Sequence, residues 1–170
     1  MPDYKNDINY MNLVNHIFDN EEFMKLDDIK HHNSTRLNHC IKVSYYSYKV
    51  AKKLGLNYEE VARAGLLHDF YLGQVSEQKK IKDKFLLFTT RHPEQAVQNS
   101  LKYFNLNERE QDIIRTHMFP IDIKIPKYAE SWVVSLVDKY VSAKEFGYKF
   151  SSRLSWAANL YILMILRNLR

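Results

Sequence analysis

Apolar positions recur at three- and four-residue intervals along most of this chain, a pattern that predicts a succession of helices. The first, from Asp7 to about Lys25, carries Ile8, Met11, Leu13/Val14, Ile17/Phe18 and Met24 on its apolar side. Ser34 or Thr35 is placed to cap the next, whose inner face is Leu37, Ile41, Ser44, Tyr48 and Ala51. Lys52 and Lys53 followed by Gly55 read as its end, with positive charge at the negative pole of the helix. A third helix runs from about Tyr58 to His68, with Glu59 and Glu60 in its first turn. Residues Ile81 to Thr90 are ambiguous between a short helix and an ordered loop. Pro93 suits the first turn of a helix through Phe104 and leaves His92 at its entrance.

A further helix is predicted over about Asn107 to Met118, with Glu108 and Glu110 early and His117 at its end. Pro120 and Pro126 bracket an extended loop before a helix that begins near Glu130 and holds Asp138. A last helix spans about Ser152 to Asn168. No repeat, low-complexity tract or linker divides the chain, so residues 1–170 are expected to form a single domain. Only four glycines and four prolines agree with an all-α chain, and 45% hydrophobic with 26% charged residues describe a globular one.

Charge and targeting narrow the partners. The net charge of +5 suits an anionic ligand, and Lys79, Lys80, Lys82 and Lys84 form the one dense basic group. A run of that size is usually a solvated surface. No recognition helix, zinc-finger spacing or aromatic ribonucleoprotein motif is present, so nucleic acid is not an expected partner. The start lacks a basic-then-apolar leader, which makes the cytoplasm the default location. The apolar stretch Leu154 to Leu166 holds 13 residues, short of the roughly 17 to 25 that a membrane span needs. Residues 152–170 are read as a packing or interface helix; burial within the monomer and a homodimer account for it equally well. Cys40 is the single cysteine and reads as a small buried apolar residue.

The chemistry gathers around His68-Asp69, which closes the apolar run from Val61. An unpaired buried carboxylate costs several kcal/mol, so such a pair calls for a positive partner. A metal ion would satisfy both side chains, the imidazole as a borderline ligand and the carboxylate as a hard one. Three more histidines, His39, His92 and His117, fall in or beside other predicted helices, and Asp138 follows them. His16, His31 and His32 fit no position in that series. No G-x-S-x-G nucleophile motif occurs.

This order of His39, His68-Asp69, His92, His117 and Asp138 resembles the HD-domain superfamily of metal-dependent phosphohydrolases, over roughly residues 34 to 143. The resemblance implies an orthogonal bundle of about seven or eight helices with the site between central helices. It implies one or two divalent ions (Fe, Mn, Zn, Ni or Mg): one on His39, His68, Asp69 and Asp138, and in the six-ligand branch a second on His92 and His117, with Asp69 bridging. His68 and Asp69 are then the catalytic core, and a metal-activated hydroxide attacks phosphorus in a small phosphorylated substrate, first of all a nucleotide. Arg36, Lys79, Lys80 and Arg91 are candidate substrate contacts, Arg36 because it stands one turn before His39 and carries a bidentate fork, although a salt bridge that orients a ligand accounts for Arg36 equally well. In several six-ligand relatives a lysine follows the His-Asp pair by three residues. Here Leu72 stands there, and a Gly-Tyr-Pro element is missing too, which sets the chain apart from the cyclic-dinucleotide branch. Two other readings share the resemblance: a di-iron oxygenase built on the same ligands, and a signalling module that keeps the fold without turnover.

Overall fold

The computed structural model describes residues 2–31, 34–73 and 81–146, apart from the side chains of residues 30, 31, 81–90 and 146. Lys79, Lys80, His32 and the expected C-terminal helix lie outside the described residues. Among those described are seven α-helices: α1 (Ile8–Phe18), α2 (Glu21–Met24), α3 (Arg36–Leu54), α4 (Tyr58–Leu67), α5 (Ile81–Tyr103), α6 (Glu108–Thr116) and α7 (Ala129–Phe146). A 3-10 turn (Lys25–Asp28) and a two-stranded antiparallel ladder pairing Lys30 with Thr35 connect α2 to α3. The fold is all-α, as the periodicity predicted.

Capping explains most boundaries. Thr35, Asn57 and Asn107 each accept an amide hydrogen bond at the start of α3, α4 and α6. At Asn107 the Glu110 side chain completes a capping box. Gly55 ends α3 in the left-handed region, at φ 68°, where a side chain would be strained.

The expected face of α3 is buried throughout: Leu37, Ile41, Ser44, Tyr48 and Ala51 are each at most 6% exposed. α3 packs along α4, and both also meet α7, while α6 joins α4, α5 and α7. Gly65 of α4 lies against Ser44 of α3, so that a β-carbon there would stand 3.1 Å from the Ser44 Cα. The Ser44 hydroxyl uses this closeness to donate to the Ala62 carbonyl at 2.6 Å, and it accepts from Tyr10 at 2.8 Å.

Two segments depart from the sequence reading. The N-terminal helix is not continuous to Lys25; Asn20 caps a new start by accepting from the Phe23 amide. Its buried residues are Tyr10, Val14 and Ile17, while Ile8 is 72% exposed. The amphipathic Tyr10 takes the inward place because its hydroxyl finds Ser44. Second, Pro93 does not open a helix: α5 runs through it from Ile81, and His92 sits within the helix instead of at its entrance. The missing amide of Pro93 removes one rung of the ladder without ending it.

Candidate metal centre

His68 and Asp69 both turn inward because α4 stops before them. Neighbouring side chains on a continuous helix diverge by about 100°. Here Leu67 is the last helical residue, His68 occupies the C-cap, and the chain turns through Asp69 to Tyr71. His68 is fully buried and Asp69 is 5% exposed. His117 occupies the same position at the end of α6. Each of these histidines donates from Nδ1 to the carbonyl three residues earlier, Gly65 or Ile114, at 2.8 Å. The device satisfies a carbonyl left over at the helix end. It also fixes the tautomer, so both rings present Nε2 to the interior.

Six side chains from five segments converge there. In one group, ligand atoms of His39, His68 and Asp69 lie within 4.8 Å of one another; in the other, so do those of Asp69, His92 and His117. Asp69 belongs to both. Its Oδ1 is 3.4 Å from His92 Nε2 and 3.6 Å from His117 Nε2. Asp138 faces the first group from α7, its Oδ1 3.0 Å from His39 Nε2 and 3.8 Å from His68 Nε2. Ligands bound to one ion at about 2.1 Å each stand some 3 to 4 Å apart, and these separations match. His92 is supplied from within α5, and its Nε2 approaches His117 Nε2 to 2.9 Å.

The chemistry of the donors fits a cation. Asp69 Oδ1 and His68 Nε2 are buried without a hydrogen-bond partner, an arrangement that costs free energy unless another ligand engages them. Among the described residues no charged lysine or arginine nitrogen lies within 4 Å of an Asp69 carboxylate oxygen. Burial raises the pKa of Asp69, but the surrounding imidazoles of His68, His92, His117 and His39 outweigh it and hold the carboxyl below its usual range. Burial lowers His117 well below the ordinary histidine value, aided by His68 and His92, which keeps it neutral and able to ligate. His39 goes the other way. Burial opposes its charge, yet hydrogen bonds to Asp138 and Glu145 raise its pKa to about 10. Without a metal, that proton is the positive charge the carboxylates require.

Around this centre lie residues that the sequence reading missed. Glu145, in the last turn of α7, accepts from His39 Nδ1 at 2.9 Å and from Lys42 Nζ at 2.7 Å. Lys139 donates to the His117 carbonyl and stands 3.3 Å from Asp138 Oδ2. Ser135 donates to the His117 carbonyl at 2.8 Å. Only the position of Lys139, next to Asp138 in an apolar helix, offered a sequence signal; Glu145 and Ser135 gave none.

Arg36 is buried, but its fork is not directed at an anion. Its two terminal nitrogens bond the Tyr71 carbonyl at 2.5 Å and the Tyr71 hydroxyl at 2.8 Å, and the guanidinium stacks 3.8 Å over that ring. Arg36 here serves Tyr71, whose ring in turn lies 5.3 Å from that of His92, and its contact with a substrate phosphate stays an expectation of the sequence. Arg91 is exposed and lines a cleft of about 740 Å³ between Tyr71–Gly73 and the outer side of α5. His16 is exposed, away from the centre, and Cys40 is fully buried.

The HD-domain family model matches residues 36–143, a span that opens just before His39 and closes beyond Asp138. Comparison with curated proteins and with solved structures returns no match. With 36–143 making up more than half of the sequence, and with His39, His68, Asp69, His92, His117 and Asp138 of that span gathered at one buried centre, the chain belongs to the HD-domain family.

Proposed function

We propose that the protein is a metal-dependent phosphohydrolase with a dinuclear centre, acting on a small phosphorylated compound and first of all on a nucleotide. One ion is assigned to His39, His68, Asp69 and Asp138, and the other to His92 and His117, with Asp69 shared. The observation that carries this reading is the meeting of two ligand groups at a single buried carboxylate, with Asp69 Oδ1 and His68 Nε2 otherwise unpartnered. Divalent ions bound there would lower the pKa of a coordinated water and share the charge of a phosphate. The protein's own part is positioning. His68 and His117 are locked by their own helix ends, and Lys139 steadies both Asp138 and the turn after His117. Arg91, beside His92 and lining the cleft, is assigned to the substrate's negative charge. Lys79 and Lys80 keep that assignment from the sequence alone.

The test is the metal content per chain of protein purified without chelator, followed by phosphate release from a panel of nucleotides. Close to two ions with release of phosphate is the expected result. Iron with oxygen consumption and no phosphate release would replace hydrolysis by oxygenation. No metal, even after reconstitution, would overturn the mechanism and leave the fold intact.

A further inference from the structure

The three histidines whose Nδ1 contacts are described are held in two different ways. His68 and His117 donate to neutral backbone carbonyls of their own helices. His39 donates to a carboxylate 106 residues away, at 2.9 Å. The other oxygen of that carboxylate, Oε1, is taken by Lys42 at 2.7 Å. Lys42 lies one turn after His39 on α3, so one face of α3 grips both carboxylate oxygens of Glu145 at the end of α7. The Glu145 side chain is 7% exposed, which makes this a built contact and not a surface pairing. A histidine that donates to an anion is a more basic ligand than one that donates to a carbonyl, and its ring is more firmly oriented. Negative charge is unequal as well. Asp69, Asp138 and Glu145 gather about His39 and His68, whereas among the described residues Asp69 is the carboxylate within 4 Å of His92 and His117.

We propose that Glu145, clamped by Lys42, is the positioning residue for His39 and makes the two metal subsites unequal, the His39–His68 side holding its ion the more tightly. The inference rests on the dinuclear reading above. It assigns the order of filling: the His39 side first, the His92–His117 side second and more exchangeable.

Titration of the metal-free full chain with Co²⁺, followed by visible absorption and calorimetry, tests it. The wild type is expected to bind two ions in separable steps. Glu145→Gln should weaken the tighter step roughly 10- to 100-fold and leave the weaker one unmoved. His92→Ala should remove the weaker step and spare the tighter. Lys42→Met, which leaves the carboxylate in place, should give a smaller loss confined to the tighter step, and it decides the matter if Glu145→Gln does not fold. Fewer than two ions on the wild type would overturn the dinuclear reading itself. Two ions with Glu145→Gln affecting neither step, or both alike, would overturn the role of Glu145 alone. Loss of the tighter step in His92→Ala would reverse the proposed order and sink it.

Discussion

Asp69 illustrates how much one side chain can be asked to do. It is the member common to both ligand groups, it lacks a lysine or arginine counter-ion among the described residues, and one of its oxygens has no hydrogen-bond partner. Asp69→Ala is therefore expected to abolish most metal binding at both subsites, while the metal-free form stays folded, relieved of a buried carboxylate. His92→Ala should cost one ion only, because His39, His68 and Asp138 remain. Metal analysis beside circular dichroism checks both, and an Asp69→Ala protein that keeps two ions would remove Asp69 from the centre. The six converging side chains were legible in the sequence as candidates because their types announce their chemistry: a carboxylate and a histidine closing an apolar run need a cation wherever they end up. Glu145 was not legible. Nothing local distinguishes it from a solvated acid at a helix end; its role comes from a partner on α3 that only the packing of α7 brings near.

Among the elements, the contact between α3 and α4 sets the distance between His39 and the His68-Asp69 pair. That contact is set by Gly65, which leaves room for the Ser44 backbone, and by the hydroxyl relay from Tyr10 through Ser44 to the Ala62 carbonyl. Gly65→Ala would place its Cβ 3.1 Å from the Ser44 Cα, a backbone atom that cannot swing aside. The expected cost is about 1 to 3 kcal/mol from forced separation of the helices, partly offset by roughly 1 kcal/mol of better helix propensity. A shift of that kind should also disturb the metal centre, since Gly65 supplies the carbonyl that orients His68. Urea denaturation and metal titration of the same variant measure the two effects; an unchanged midpoint would show that the helices yield freely. At this scale the inner face of α3 was plain from its period and its caps. The course of α5 was not, because a proline that can begin a helix can also be tolerated inside one. Nor was the inner face of α1, whose expected apolar positions did not include Tyr10 although that residue is wholly buried.

For the whole molecule, the net charge of +5 conceals an acidic interior. Asp69, Asp138 and Glu145 stand close together, and among the described residues the lysines paired with them are Lys42 and Lys139, the latter with its pKa lowered by burial. Without metal, the balance is made by the proton on His39. Its folded pKa, about 10, lies above the ordinary 6.5 because Asp138 and Glu145 from α7, with a contribution from Asp69 beyond α4, outweigh desolvation. A raised pKa stabilises the folded state fully below the unfolded value and progressively less as pH climbs through the folded one. Metal-free protein should accordingly lose thermal stability between about pH 6.5 and 10. A divalent ion takes the place of that proton, so its affinity should rise across the same window as the proton becomes easier to displace. Metal at a hundred times its dissociation constant adds about 2.7 kcal/mol, and the loaded protein should show a flatter dependence on pH. Melting curves at three values of pH with and without Mn²⁺ decide it. A metal-free melting temperature that stays level from pH 6.5 to 10, or one whose slope survives His39→Gln, would mean that His39 does not carry the compensating charge.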